Sequence, residues 1–224
     1  MQISDKKKLN PLFSIAKTTV LLEHVVFLEM NKGINKAIGS QARKLIFESD
    51  EIRNRPSVFL SHKIVDKPKC REIAAYLSQA GIHYYLDEED DALQQADREK
   101  NAIAITEAIK KGIRESTHML VVVSLETFNS PWIPFEVGYG HSAILGNSLV
   151  NRSIKLGVLT TLEVSETPLP DFLGIAYPVR GTKSLNEYIS KVLGTNESRL
   201  IAETRLFSNN KMSHQLDNVL NWKL

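Results

Sequence analysis

Cysteine is nearly absent: Cys70 is the only one among 224 residues. No intrachain disulfide can form, and a cysteine-based metal site lacks further ligands. A reducing, cytoplasmic compartment is the natural expectation. Charge excess is missing too. Twenty-eight Lys and Arg stand against 26 Asp and Glu, for a net +2. The chain shows no basic run beyond Lys6-Lys7-Lys8, no aromatic–basic interleaving and no zinc-finger spacing. A nucleic-acid partner is therefore not expected. Long apolar runs are also lacking. Pro11–Met30 is broken by Lys17, Glu23, His24 and Glu29. A membrane span needs roughly 20 mostly uncharged residues, and a signal peptide needs an unbroken core and a small-residue cleavage site. No membrane association is expected. GxGxxG and GxxxxGK[ST] are both absent, so a glycine-cradled phosphate has no support.

What remains is an ordinary globular composition, 42% hydrophobic and 24% charged. It suffices for one packed domain with appendages. Residues 10–49 read as two helices. Asn10 caps and Pro11 fits the first helical position. Ile15, Thr19, Leu22, Val26 and Met30 recur at helical spacing, and after Asn31-Lys32-Gly33 the pattern resumes at Ile34, Ile38, Ala42 and Leu45. Glu51–Pro56 reads as a linker. The expected organisation is an N-terminal helical extension over 1–55, a domain over 56–195 and a helical tail over 196–224.

Within 56–195, strand and helix signals alternate. Ser57–Leu60, Ile82–Leu86, Met119–Val123, Lys155–Thr161 and Ile175–Val179 read as strands. Lys67–Gln79, Asn101–Arg114, a stretch ending near Leu145, and Leu185–Leu193 read as helices. Asp87–Lys100 reads as an acid-rich polar loop. Such alternation implies a parallel sheet covered on both faces. Ligands of such sheets lie beyond the carboxyl ends of the strands. That selects Ser61–Asp66, Asp87–Lys100 and Ser124–Glu136.

The third segment contains Ser130-Pro131-Trp132-Ile133-Pro134-Phe135-Glu136. Two prolines this close fit only a helix's beginning, where few backbone N–H groups are needed. Glu136 then lies in the first or second turn, where the helix dipole favours its ionised form by up to about 1 kcal/mol. Trp132, four residues earlier, shares its face. The pattern suits either a carboxylate and an aromatic plate on one site wall, or a dipole-placed acid beside a core indole.

Ser130, Trp132 and Glu136 resemble the S-x-W-x-x-x-E pattern of bacterial TIR (Toll/interleukin-1 receptor/resistance) domains. So do Ser57–Lys63 with Asp66, Leu86–Asp90, Ser116–Ser124, and Leu169–Leu173 before Ile175 and Tyr177. The resemblance spans roughly Pro56–Leu193. It points to the NAD-cleaving branch, similar to the TIR proteins of Thoeris-like antiphage defence. It implies an α/β, flavodoxin-like five-stranded parallel sheet. It also implies cleavage of the nicotinamide–ribose bond of NAD by the glutamate matching Glu136.

Substrate contacts are expected from Ser61, His62, Lys63, Asp87, Ser130 and Trp132. Lys63 suits a pyrophosphate, Asp87 a ribose hydroxyl and Trp132 a stacked ring. Equally, Lys63 can be a solvated loop lysine, His62 a packing histidine and Asp87 a turn cap. Asp66 is expected to cap the Lys67 helix. The resemblance gives the loop Glu88–Asp97 a gating and assembly role. No metal is expected, since His118 and His141 lack ligand spacing, and no cofactor, since NAD enters as substrate. The implied partners are a second copy of the chain in a homo-oligomer and a separate effector reached through a cyclic ADP-ribose-like nucleotide signal. Two other functions suit the same residues: a non-catalytic TIR module working by protein association, and a nucleoside hydrolase or deoxyribosyltransferase-like enzyme.

Overall fold

The structure is a computed structural model that describes residues 32–38, 50–146, 153–204, 214–221 and 223–224. Most of the helical pair expected over 10–49 lies outside the described residues. A single helical turn over Asp50–Arg53 stands where a plain linker was expected; after it the main elements in chain order are β1 (Ser57–Ser61), α1 (Lys67–Gln79), β2 (His83–Tyr85), α2 (Asp91–Arg98), α3 (Ala102–Arg114), β3 (His118–Val123), α4 (Trp132–Leu145), β4 (Leu156–Thr160), β5 (Tyr177–Val179), α5 (Thr182–Leu193) and α6 (Glu197–Thr204).

The strands form one five-stranded sheet in the order β2-β1-β3-β4-β5. Every pairing is parallel. This is the flavodoxin-like α/β order. Each residue of β1, β3 and β4 is buried, as strands covered on both faces must be. Alternate side chains feed two cores. Val58, Leu60, Leu120 and Val122 pack with Ile73 and Leu77 of α1 and Leu185 and Ile189 of α5. Phe59, Met119, Val121 and Val123 pack with Ile109 and Ile113 of α3 and Ile133 and Val137 of α4.

The acidic segment differs from its expected loop form. A short 3-10 turn over Asp87–Glu89 leads into α2. Asp90 starts that helix by accepting from the N–H groups of Ala92 and Leu93 at 3.0 and 3.1 Å. Only Leu93 and Ala96 of α2 are buried, a stripe too thin to register as periodicity.

Ile34 and Ile38 also depart from their expected helical setting. Asn35 bridges Tyr84 in parallel register. Tyr84 N–H donates to Ile34 O at 3.1 Å, and Lys36 N–H donates to Tyr84 O at 2.6 Å. An open strand edge offers these backbone groups partners that outweigh a local helical preference. Gly33 permits the approach, because a Cβ there would stand 1.7 Å from Ile82 O. At the other end of the chain, His214, Leu216, Val219 and Leu220 are buried. The His214 ring meets Tyr76 edge-on at 5.1 Å. Residues 33–224 form one compact unit. Among the described residues no helix is long and apolar enough to cross a membrane.

Candidate active site

β1 and β3 are neighbours in the sheet but not in sequence. The loops leaving them diverge to opposite faces, and a crevice opens beyond their carboxyl ends. A cavity of about 490 Å³ occupies it, within the size range of small-molecule sites. Phe59, Tyr85, Ile105 and Ile109 give it apolar walls, while His62, Lys63, Lys67, Asp87 and Glu136 bring charge and hydrogen-bonding capacity.

Glu136 reaches the cavity from the start of α4, where Pro131 is the cap residue and Trp132 the first helical residue. The residue is 7% exposed. The Ser61 hydroxyl at the end of β1 donates to Oε2 at 2.5 Å. Burial pushes the Glu136 carboxyl up to about 7; the Ser61 hydrogen bond holds it down, and the Asp87 charge raises it further. This reverses the expectation that the helix dipole sets its ionisation. A rise from 4.5 to about 7 corresponds to roughly 3 kcal/mol, against at most about 1 for the dipole. Desolvation wins.

Trp132 lines the same cavity. Its residue is 38% exposed, so the indole is no core plug. It meets Phe135 edge-on at 6.1 Å. Ser130 also lines the cavity, and its hydroxyl accepts from Ile133 N–H at 3.4 Å, supporting the helix start. Ser61 sits behind Glu136 and is absent from the cavity wall.

His62 and Asp87 face each other across the wall. Nδ1 of His62 lies 2.9 Å from Leu60 O; a carbonyl only accepts, so this nitrogen carries the proton. Nε2 is 3.6 Å from Asp87 Oδ1, and neither atom makes a hydrogen bond. Lys67 Nζ lies 3.4 Å from the same Oδ1. Lys63 Nζ instead meets Glu126 at 3.1 Å. Two lysines therefore border the cavity, one tied to each side.

Lys67 was not anticipated as a site residue. Its signal in the sequence is its place in the first turn after the β1 loop, although the apolar face of that helix is its more prominent feature. Gln94 and Asp97 line the cavity as well, and both belong to the helix read as a loop. Asp66 differs from its expected capping role. Its side chain makes no cap hydrogen bond; Ser124 Oγ donates to its Oδ2 at 2.5 Å, and Lys69 Nζ stands 3.4 Å from Oδ1. His118 is held by Thr117 at 2.8 Å and lowered to about 4 by burial, with Lys155 adding to the effect. No group of three metal-ligating side chains occurs among the described residues.

Residues 58–162 match the family model described as TIR domain. That stretch, from β1 through β4 and just under half of the chain, is similar to a TIR domain and contains every residue expected at the site. No curated protein and no solved structure matches the chain.

Proposed function

We propose that this domain is a TIR domain that cleaves NAD at the nicotinamide–ribose bond, with Glu136 as the catalytic carboxylate. The observation that carries the reading is a buried carboxylate opening onto a cavity of ligand size beside an exposed indole.

Nicotinamide departs as a neutral molecule, so no proton donor is required at the leaving group. The sugar carbon left behind develops positive charge, as in other glycosidic cleavages. An ionised Glu136 fixed near that carbon opposes the charge. At about 4 Å and an effective dielectric near 20, one such pair is worth roughly 4 kcal/mol, or about 10³ in rate. Ser61 holds Oε2 in place, which removes a reorganisation cost from the step. Trp132 offers a face for the nicotinamide ring. Lys63 and Lys67 supply cations for the pyrophosphate, and Asp87 accepts from ribose hydroxyls. Attack on the sugar cation by water gives ADP-ribose; attack from within the same molecule gives a cyclic product. The resemblance to antiphage TIR proteins extends the reading to a nucleotide signal that acts on a separate effector.

The test incubates purified protein with NAD and, in parallel, with deoxynucleosides, and follows base release. Nicotinamide release that disappears in Glu136→Gln and Glu136→Ala, with far-ultraviolet circular dichroism unchanged, supports the assignment. Release that survives either substitution overturns it. Cleavage of deoxynucleosides in preference to NAD would assign the site to a deoxyribosyltransferase-like reaction.

A further inference from the structure

The cavity wall that carries Asp87 is fixed by a residue outside the matched TIR segment. Asn35 is 4% exposed and lies in the stretch that runs along the edge of β2. Its Oδ1 accepts from Leu86 N–H at 3.1 Å and from Ala37 N–H at 3.0 Å. Its Nδ2 donates to Leu86 O at 3.2 Å. One side-chain amide thus satisfies both backbone groups of the residue where the chain leaves the sheet. The next residue is Asp87.

Leu86 cannot shift easily in other directions. Its side chain is buried in the core beneath α1, and its backbone is extended, at φ −124 and ψ 123. On its far side the Asp87 carbonyl accepts from Asp90 N–H at 3.1 Å and Gln94 Nε2 at 3.3 Å, and its carboxylate stands 3.4 Å from Lys67 Nζ and 3.6 Å from His62 Nε2. The two carboxylate contacts make no hydrogen bond to Oδ1, so the backbone on either side of Asp87 holds it, and on the β2 side that hold is the Asn35 clamp on Leu86.

We propose that Asn35 is a positioning residue for the pocket, acting through the Leu86 backbone to place the Asp87 carboxylate on the cavity wall. The inference rests on the NAD reading for its consequence and on the hydrogen bonds alone for the clamp. Truncation to alanine leaves Leu86 with unmet backbone groups and lets the turn after β2 relax. The Asp87 carboxylate then moves away from the substrate while Glu136 keeps its place on α4 and its hydrogen bond from Ser61.

The experiment is a double-mutant cycle on the full chain. NAD cleavage is measured well below the melting temperature for wild type, Asn35→Ala, Asp87→Ala and the double variant. Each single substitution should lower kcat/KM about tenfold, the loss of roughly one hydrogen bond's worth of binding. The double variant should fall no further than the worse single, because both act through one group. Lys36→Met is the control. It removes the Lys36 Nζ donation to Glu115 O at 2.6 Å, loosening the same stretch without touching Leu86. It should lower the melting temperature and leave kcat/KM unchanged. Additive losses in the cycle, or equal losses from Lys36→Met, overturn the inference.

Amide hydrogen exchange supplies a readout independent of the reaction. Exchange at Leu86 and Asp87 should accelerate in Asn35→Ala and stay slow in Lys36→Met. If the wild type cleaves no NAD, the proposed reaction fails and exchange alone decides the clamp. Faster exchange then upholds it, and unchanged exchange removes it. Asn35→Ser replaces Asn35→Ala in every arm if the alanine variant does not fold.

Discussion

The Ser61 hydroxyl donates to Glu136 Oε2 at 2.5 Å, joining the last residue of β1 to the first turns of α4. Among the described residues it is the one side-chain hydrogen bond at a carboxylate that burial would otherwise leave protonated over a wider pH range. It links the position of the sheet to the ionisation of the proposed catalytic group. The pH behaviour of the protein should therefore report on this pair.

Nicotinamide release should rise with pH through about 7, the value for Glu136 in the folded protein, and level off above it. The ionised form is the one that opposes charge on the sugar. The pH profile of kcat/KM checks this. A rate that is flat from mildly acid to mildly alkaline pH would contradict it.

The same carboxyl should cost stability as pH rises. Its folded value is raised from 4.5 to about 7. Below the unfolded value both states hold the proton. Between the two values only the folded state does, and stability falls across that window by roughly 3 kcal/mol. Glu136→Gln should match the wild type near pH 4 and be more stable by up to about 3 kcal/mol near pH 8. Urea unfolding at the two pH values is the measurement.

Ser61→Ala removes the interaction that lowers the Glu136 carboxyl. The rising limb of the kcat/KM profile should move to higher pH. Cleavage at pH 7 should drop about tenfold, as expected for a lost hydrogen bond to a charged group. The deficit should shrink on the alkaline plateau, which separates loss of ionisation from loss of fold.

Lys67→Met should raise the KM for NAD about tenfold with a smaller effect on kcat, since it removes a cation from the wall and leaves Asp87 without its nearest counter-charge. Steady-state kinetics at two ionic strengths would show it. An unchanged KM would take Lys67 out of substrate binding.

Gly112→Ala should destabilise the protein by about 1–3 kcal/mol. A Cβ there would stand 2.6 Å from the Tyr85 ring. Tyr85 also lines the cavity and stacks on Phe59 at 5.1 Å. Thermal unfolding measures the loss.

The legible parts of the fold were those set by local burial. Val58–Leu60 and Met119–Val123 read as strands because both faces are covered and the runs are continuously apolar. Pro131 and Pro134 located the start of α4 and so the depth of Glu136. The missed parts depended on distant partners. Asn35 sits beside Tyr84 because an edge was open, which no spacing within 34–45 records. α2 rests on a single capping aspartate and two buried residues. Asp66 accepts from Ser124, far along the chain, although its position before a helix suggested a cap. The ionisation of Glu136 escapes the sequence for the same reason: a helix start is visible there, whereas the loss of water around a carboxylate is a property of the assembled pocket.

The stretch beside β2 also bears on how copies of this protein can meet. It uses the outward N–H and C=O of Tyr84, so that margin of the sheet has no vacant backbone groups at its centre. On the opposite margin, β5 carries Pro178, which has no N–H to give. Growth by strand addition is thus discouraged on both sides. A filament or ring built from this domain is therefore expected to join through helix faces and loop tips, and to be more sensitive to substitutions there than along the strands.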